Sequence, residues 1–295
     1  MKRYFVTHET SYSYSTSVDL GLHMLRMTPV NSDRQTLIDH SIRITPEPTR
    51  SVTFRDHFGN DMQHVALEVP HQSFSVTLQA TVDVAATEDV AVLVSPAWEI
   101  IRDQMQGDGF PMPAAVAEFA YASPLAPREA LSTDYAIPSF PAAMPIVSGL
   151  QDLTQRIYTD FTYAPGTTDI STPVPEIMAS RNGVCQDFAH VMIACLRGIG
   201  LPARYVSGYL RTYPPETQGG WRGADASHAW VSAWCGPDIG WLEFDPTNNL
   251  IVQDEHIALA YGRDFSDVTP LRGVILGGGQ HALSVAVNVV PLSDD

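Results

Sequence analysis

The sequence predicts an α+β fold, in which an N-terminal antiparallel β-sandwich is followed by a core where a helix packs against an antiparallel sheet. Apolar and polar residues alternate along most of the first 90 residues. Helical spacing begins at Val147, and the alternation returns after residue 203. These three observations divide the chain into a β-sandwich over residues 1–90, a helical connector over 91–145 and a core over 146–295.

The composition is that of a folded protein with a strongly acidic surface. Its 295 residues suffice for one large or two ordinary domains, and 44% of them are apolar. The net charge of −16 repels phosphate backbones and anionic lipids. The charge therefore argues against nucleic acid and against membrane as partners.

Cysteine usage and the N-terminus both bear on the compartment. The three cysteines are odd in number and form no CxxC pair, which indicates free thiols rather than a disulfide framework. The first residues lack the apolar core of a secretory signal, and no run approaches the ~18 apolar residues of a spanning helix. We therefore expect a cytoplasmic protein.

Five strand candidates fill the first segment, and helical pieces fill the second. The strands are predicted over residues 2–14, 41–45, 51–55, 63–69 and 73–85. Gly59-Asn60 marks a hairpin between two of them. Ser95-Pro96 predicts the start of a helix that runs through Met105, and the Pro- and Ala-rich stretch over 107–145 predicts an irregular connector.

The core combines three helices with several strands. Apolar spacing predicts helices from Val147 to Phe161, from Thr172 to Gly183 and from Cys185 to Ile199. Strands are predicted over 204–210, 228–235, 241–245 and 281–290, with loops over 211–226 and 264–280. The sequence leaves open which sheet the last strand joins.

Cys185 lies where a glycine-containing turn enters the first turn of a helix. Unpaired N–H groups and the positive end of the helix dipole favour a thiolate there. The position predicts a nucleophile, whereas the alternative is a small buried core residue, as we expect of Cys195 and Cys235.

His228 opens one predicted strand and Asp245 ends the next. If the short loop over 236–240 pairs these strands as a hairpin, the two side chains lie near the same end of the sheet. Asp245 can then hold one ring nitrogen of His228 while the other faces a thiol. The pattern predicts Cys185 as nucleophile, His228 as base and Asp245 as the residue that orients it.

Four segments of the chain resemble the bacterial transglutaminase-like superfamily, in the subgroup with an N-terminal β domain whose members are described as "putative cysteine proteases". The segments are Cys185–His190, Arg204–Tyr209, His228–Trp230 and Phe244–Asn248. The resemblance implies a papain-like transglutaminase core. It also maps the catalytic Cys, His and Asp of the family onto Cys185, His228 and Asp245.

The other site residues are less sharply defined by the sequence. The backbone N–H of Cys185 is the natural first donor to an oxyanion, with Tyr163 and Gln186 as candidates for the second. Trp230 is expected in the core, where it can flank the site. Cys185 and His190 are the closest ligand pair for zinc, and because no other close pair accompanies them, we expect neither metal nor cofactor.

These residues predict a thiol-dependent amide hydrolase, either a peptidase or an amidase. A peptide or protein amide would be cleaved through a thioester on Cys185. One alternative is a transglutaminase-type acyltransferase, because the same thioester can pass to an amine. A second is a non-catalytic binding module on the same fold. The oligomeric state is left open.

Overall fold

The computed structural model describes residues 1–87, 94–105, 112–213 and 227–292, which form two antiparallel sheets and a layer of helices. The strands are β1 (Lys2–Leu25), β2 (Gln35–Thr45), β3 (Arg50–Arg55), β4 (Asp61–Leu67), β5 (His71–Val84), β6 (Thr162–Tyr163), β7 (Asn182–Gly183), β8 (Ala203–Leu210), β9 (His228–Trp234), β10 (Trp241–Asp245), β11 (Leu250–Ile251), β12 (His256–Gly262), β13 (Leu271–Gly277) and β14 (His281–Leu292). The helices are α1 (Trp98–Met105), α2 (Ala114–Ala117), α3 (Ala130–Ala136), α4 (Ile146–Asp160), α5 (Val174–Ser180), α6 (Cys185–Gly198) and α7 (Phe265–Val268). The α+β class is thereby confirmed.

The N-terminal strands form one long antiparallel sheet. Its order is β2-β5-β1-β4-β3, and β13 and β14 pair with the other side of β1. The strands predicted over the first 90 residues are present, and pairing with β1 joins them into one hydrogen-bonded sheet. The 24 residues of β1 pair with β4 and β5 in succession along one side.

Both C-terminal strands belong to this N-terminal sheet, which answers the question that the sequence left open. The expected loop over 264–280 is wrong, because α7 and β13 occupy most of it. β13 is an outer strand with little burial, so its sequence lacks the alternation that marks a half-buried strand. The glycines Gly277, Gly278 and Gly279 all have positive φ and make the turn between β13 and β14.

The second sheet carries the predicted core strands. Its order is β11-β10-β9-β8-β12, and the pairing is antiparallel throughout. Buried residues of β9, such as Val231, pack against α6 on one side. Tyr209, Ile257 and Leu259 on β8 and β12 instead pack among buried residues of the N-terminal sheet. The second sheet is therefore held between α6 and the N-terminal sheet.

The helices lie close to their predicted positions, with one displaced start. α1 begins at Trp98 rather than beside Pro96, and the hydroxyl of Ser95 instead accepts a hydrogen bond from the N–H of Val147 in α4 (3.2 Å). Of the helices that the structure describes, none is both long and apolar enough to cross a membrane. The predicted boundary at residue 90 and the predicted loop beyond residue 213 lie outside the described residues.

Two buried amide side chains from the N-terminal region pair with the backbone of β12, the edge strand of the second sheet. Gln35 donates to the carbonyl of Ala258 and accepts from its N–H, both at 2.8 Å. Asn60 does the same for Tyr261, again at 2.8 Å. The two amides therefore satisfy backbone groups that an edge strand would otherwise leave unpaired.

We predict that Gln35→Leu lowers the free energy of unfolding by roughly 1–3 kcal/mol, because it leaves the buried N–H of Ala258 without a partner. Urea unfolding monitored by tryptophan fluorescence measures this loss. Gln79→Leu, the same substitution at an exposed position of β5, is the control and should change the value by less than about 0.5 kcal/mol. Equal effects of the two variants would contradict the role given to Gln35.

Candidate active site

Cys185 is the first residue of α6 and lies where the chain turns into the helix. The side chain of Asp187 accepts hydrogen bonds from the N–H of Val184 (2.8 Å) and the hydroxyl of Thr168 (2.6 Å), which fixes this turn. Gly183 is required because a Cβ there would overlap the side chain of Asp187. Cys185 is 9% exposed and sits at the mouth of the helix, as predicted.

The hairpin of β9 and β10 brings His228 and Asp245 together. Val231 on β9 pairs with Phe244 on β10. Asp245 is the next residue of β10, and its side chain contacts His228. The Nε2 atom of His228 donates to Oδ2 of Asp245 at 2.9 Å, and both side chains are buried. This is the contact that the sequence predicted from hairpin pairing alone.

Cys185 and Asp245 both act on the imidazole of His228. Burial lowers the pKa of His228, but the charge of Asp245 and the charge and hydrogen bonding of Cys185 outweigh it and raise the pKa to about 10. The Nδ1 atom of His228 makes no hydrogen bond of standard geometry within the described part of the chain. The contact with the thiol is therefore looser than the contact with Asp245.

The carboxylate of Asp245 is the most heavily hydrogen-bonded group in the site. Its Oδ1 atom accepts from the backbone N–H groups of Thr247 (2.8 Å) and Asn248 (3.2 Å). Its Oδ2 atom accepts from His228, from the amide of Asn248 (2.8 Å) and from Nε2 of His256 (3.1 Å). Burial raises the pKa of Asp245, but the charges and hydrogen bonds of His228 and His256 outweigh it and hold the pKa well below its usual range.

Sequence reasoning missed His256, because no strand was predicted over residues 256–262. The signal was nevertheless present, since Ile257 and Leu259 alternate with small residues after a histidine. His256 opens β12 in the same way that His228 opens β9. Its partner, Asp245, lies on β10, which β9 and β8 separate from β12 in the sheet, so the contact between the two side chains can be recognised only in the folded sheet.

Trp230 lies beside His228 on the same face of β9. The two rings are stacked with centroids 6.1 Å apart, and Trp230 meets His256 edge-on at 5.1 Å. The indole N–H donates to Glu243 (2.9 Å), which also accepts from the hydroxyl of Tyr261 (3.1 Å). Trp230 is thus a fully buried core residue that also flanks the candidate base.

Comparisons with known proteins identify the family. Residues 4–83 match the bacterial transglutaminase-like N-terminal region, and residues 140–246 match the transglutaminase-like superfamily. The chain is also 41% identical to an uncharacterized protein of Mycobacterium tuberculosis, over 99% of this chain and 94% of the relative. The chain belongs to the transglutaminase-like superfamily.

Two further relatives extend the comparison. The crystal structure of a "putative cysteine protease" from Cytophaga hutchinsonii is similar with a TM-score of 0.75 and 22% identity, over all of this chain and 92% of that one. It shows that the two proteins share a fold. A protein-glutamine gamma-glutamyltransferase of Pseudomonas aeruginosa is 33% identical over 38% of this chain and 17% of its own length.

Tyr163 and Gln186, the predicted second donors to an oxyanion, lie in β6 and in the first turn of α6 of this transglutaminase-like core. Tyr163 pairs with Gly183 in the short parallel ladder of β6 and β7, and its ring meets Phe188 at 6.4 Å. Gln186 is half-buried and makes no side-chain hydrogen bond to the other site residues that the structure describes. Both assignments stay predictions.

His190, one residue of the Cys185–His190 pair considered for zinc, has a different partner in the structure. The Nε2 atom of His190 instead accepts from the N–H of Phe265 (3.2 Å), and burial lowers the pKa of this histidine to about 4. A different set of His228, Asp245 and His256 places its ligand atoms within 4.8 Å of one another. Hydrogen bonds between these same atoms account for that arrangement, since both Nε2 atoms donate to Asp245.

Gly208 on β8 makes this crowded arrangement sterically feasible. It pairs with His228 across the sheet, and a Cβ there would overlap the indole of Trp230 and the carbonyl oxygen of Ile257. The missing side chain leaves the space that Trp230 fills beside the backbone of β12.

We predict that Gly208→Ala lowers the free energy of unfolding by roughly 1–3 kcal/mol, because Trp230 and β12 must shift to admit the methyl group. Urea unfolding measures the loss. Ser207→Ala, one residue earlier on the same buried strand, is the control and should cost less than about 1 kcal/mol. A Gly208→Ala protein as stable as wild type would show that the packing around Trp230 has more room than the structure indicates.

Proposed function

We propose that the protein is a thiol-dependent amide hydrolase, a peptidase or amidase that acts on peptide or protein amides through a thioester on Cys185. The observation that carries the proposal is the position of His228, whose imidazole contacts Asp245 through Nε2 and interacts with the Cys185 thiol. A cationic imidazole beside the sulfur supports a thiolate–imidazolium pair, the form in which a cysteine attacks a carbonyl.

The proposed reaction has two halves. In the first, the sulfur of Cys185 forms a bond to the carbonyl carbon, and His228 gives its proton to the leaving nitrogen as the C–N bond breaks. In the second, His228 takes a proton from water, whose oxygen attacks the thioester. The C–S bond then breaks, the acid leaves, and the thiolate and imidazolium are restored. Asp245 keeps the imidazole oriented throughout.

The negative oxygen that forms at the carbonyl needs donors in both halves. The N–H of Cys185 at the start of α6 is the proposed first donor, because helix N-termini carry N–H groups without intrahelical partners. We retain Tyr163 and Gln186 as candidates for the second. Tyr163 is favoured by its position in the ladder next to Gly183, two residues before the sulfur.

Transfer to an amine is the second candidate function, and two observations favour it. A relative named as a protein-glutamine gamma-glutamyltransferase matches part of the chain. Cys185 and His228 are 9% and 1% exposed, and a site with little access to water prolongs the life of a thioester. The alternative of a non-catalytic binding module and the expectation of a cytoplasmic location both stay predictions.

We predict that iodoacetamide alkylates Cys185 at pH 6 at least 10-fold faster in the wild type than in the His228→Asn variant. A free thiol of pKa ~8.5 is only about 0.3% ionised at that pH, so an imidazolium partner gives a large advantage. Peptide mass spectrometry of quenched samples follows each cysteine separately.

Cys195 and Cys235 serve as internal controls in the same experiment. Both are buried, and burial raises the pKa of Cys195 to about 12 and that of Cys235 still further, so neither should react in the folded protein. Cys185→Ala should abolish turnover of a peptide library while the thermal unfolding temperature is retained. Turnover by this variant would refute the assignment of the nucleophile.

The fate of the thioester separates the two candidate functions. We predict that incubation of a peptide library in half-enriched H₂¹⁸O with 50 mM methylamine gives mainly acids, half of which carry one ¹⁸O. Mass spectrometry of the products distinguishes these acids from N-methylamides. A majority of N-methylamides would identify an acyltransferase, and the absence of both products without any Cys185 adduct would favour the binding module.

A further inference from the structure

Asp245 is shared by two histidines, and the proposed mechanism uses only one of them. His228 and His256 both donate through Nε2 to the same oxygen, Oδ2, at 2.9 and 3.1 Å. Both rings are buried, and their centroids are 6.1 Å apart. His256 can therefore affect the site only through its hydrogen bond to the carboxylate of Asp245.

The surroundings of His256 make it a neutral donor. Burial lowers its pKa, although the hydrogen bond and charge of Asp245 act in the opposite direction. A neutral imidazole carries one N–H, and the contact with Oδ2 requires that this hydrogen be on Nε2. Its Nδ1 atom has no hydrogen-bond partner among the residues that the structure describes.

The second histidine completes a fixed cradle for the carboxylate. The backbone after β10 holds Oδ1 through Thr247 and Asn248, whereas Oδ2 is held only by side chains. Without His256, Oδ2 would keep its hydrogen bonds from His228, on β9, and from the amide of Asn248, in the turn after β10. His256 is the donor that arrives from the opposite edge of the sheet, on β12.

We propose that His256 is a positioning residue, which holds Oδ2 of Asp245 so that the carboxylate stays aligned with Nε2 of His228. This inference rests on the proposed function, because it gives His256 a role only through the Cys185–His228 pair. Trp230, edge-on at 5.1 Å, keeps the ring of His256 in place. The titratable groups that act on His228 are Asp245 on β10 and Cys185 on α6, and those that act on His256 are Asp245 and Glu243 on β10 and His228 on β9.

Two variants of His256 separate the hydrogen bond from the packing. His256→Phe keeps a ring of similar size against Trp230 but removes the donor. His256→Gln can place its amide N–H near the former Nε2. The readouts are the alkylation rate of Cys185 by iodoacetamide from pH 5 to 9, and kcat and KM for a peptide amide cleaved by the wild type.

We expect His256→Phe to lower kcat roughly 10- to 100-fold with KM changed less than about 2-fold, as for the loss of a buried hydrogen bond to a charged group. The alkylation rate at pH 6 should fall with it, and the pH profile should move toward that of a free thiol. His256→Gln should recover at least 10-fold of the lost kcat. A merely structural role would lower the unfolding temperature of both variants and leave the pH profile of the folded protein unchanged.

If His256→Phe is alkylated at Cys185 and turns over the peptide amide as fast as the wild type, the inference is overturned while the proposed function stands. If Cys185 of the wild-type protein is alkylated no faster than Cys185 of His228→Asn, the proposed function itself is contradicted. If His256→Phe does not fold, ¹⁵N NMR of the wild-type histidine rings decides. A neutral His256 with hydrogen on Nε2 at pH 7 supports the inference, and a cationic ring or hydrogen on Nδ1 alone overturns it.

Discussion

The architecture depends on the burial of one charge, the carboxylate of Asp245. Its side chain has no solvent-exposed surface, and the effective cost of burying such a group without partners is several kcal/mol. The site offsets that cost with donors from β9, from β12 and from the turn after β10. Three segments of chain must therefore converge on one residue, which constrains the register of the whole second sheet.

The N-terminal sheet serves this constraint by supporting β12. Gln35 and Asn60 form hydrogen bonds with the backbone of β12 at its outer edge. Ile257 and Leu259 of the same strand pack among the apolar residues of the N-terminal sheet. His256 is the first residue of that anchored strand. The N-terminal region is thus more than an attached module, since it fixes the strand from which one of the donors to Asp245 comes. The pairing of β13 and β14 with β1 ties the end of the chain to the same support.

How far the sequence predicts the site depends on the distance over which each contact forms. His228 and Asp245 were predicted to meet because adjacent strands joined by a short loop pair as a hairpin, so a local rule sufficed. Cys185 was recognised by its glycine turn and the apolar stripe of its helix. His256 was missed because β12 crosses over to the far edge beside β8, and no local pattern specifies that neighbour. The same limit applies to the first segment, since alternation marks its strands but does not predict that β1 is long enough to pair with four other strands.

The two histidines on Asp245 show how the site assigns different tasks to chemically identical groups. Both are buried and both contact Oδ2, so neither burial nor the carboxylate alone distinguishes them. Despite burial, Asp245 and Cys185 raise the pKa of His228, whereas burial and the charge of His228 lower the pKa of His256 in spite of Asp245 and Glu243. Titratable groups whose surroundings push their pKa values apart are the ones that divide acid–base work from support. A second cation beside Asp245 would compete with His228 for the same negative charge. The low pKa of His256 avoids this competition, and the proton remains on the ring that interacts with the sulfur.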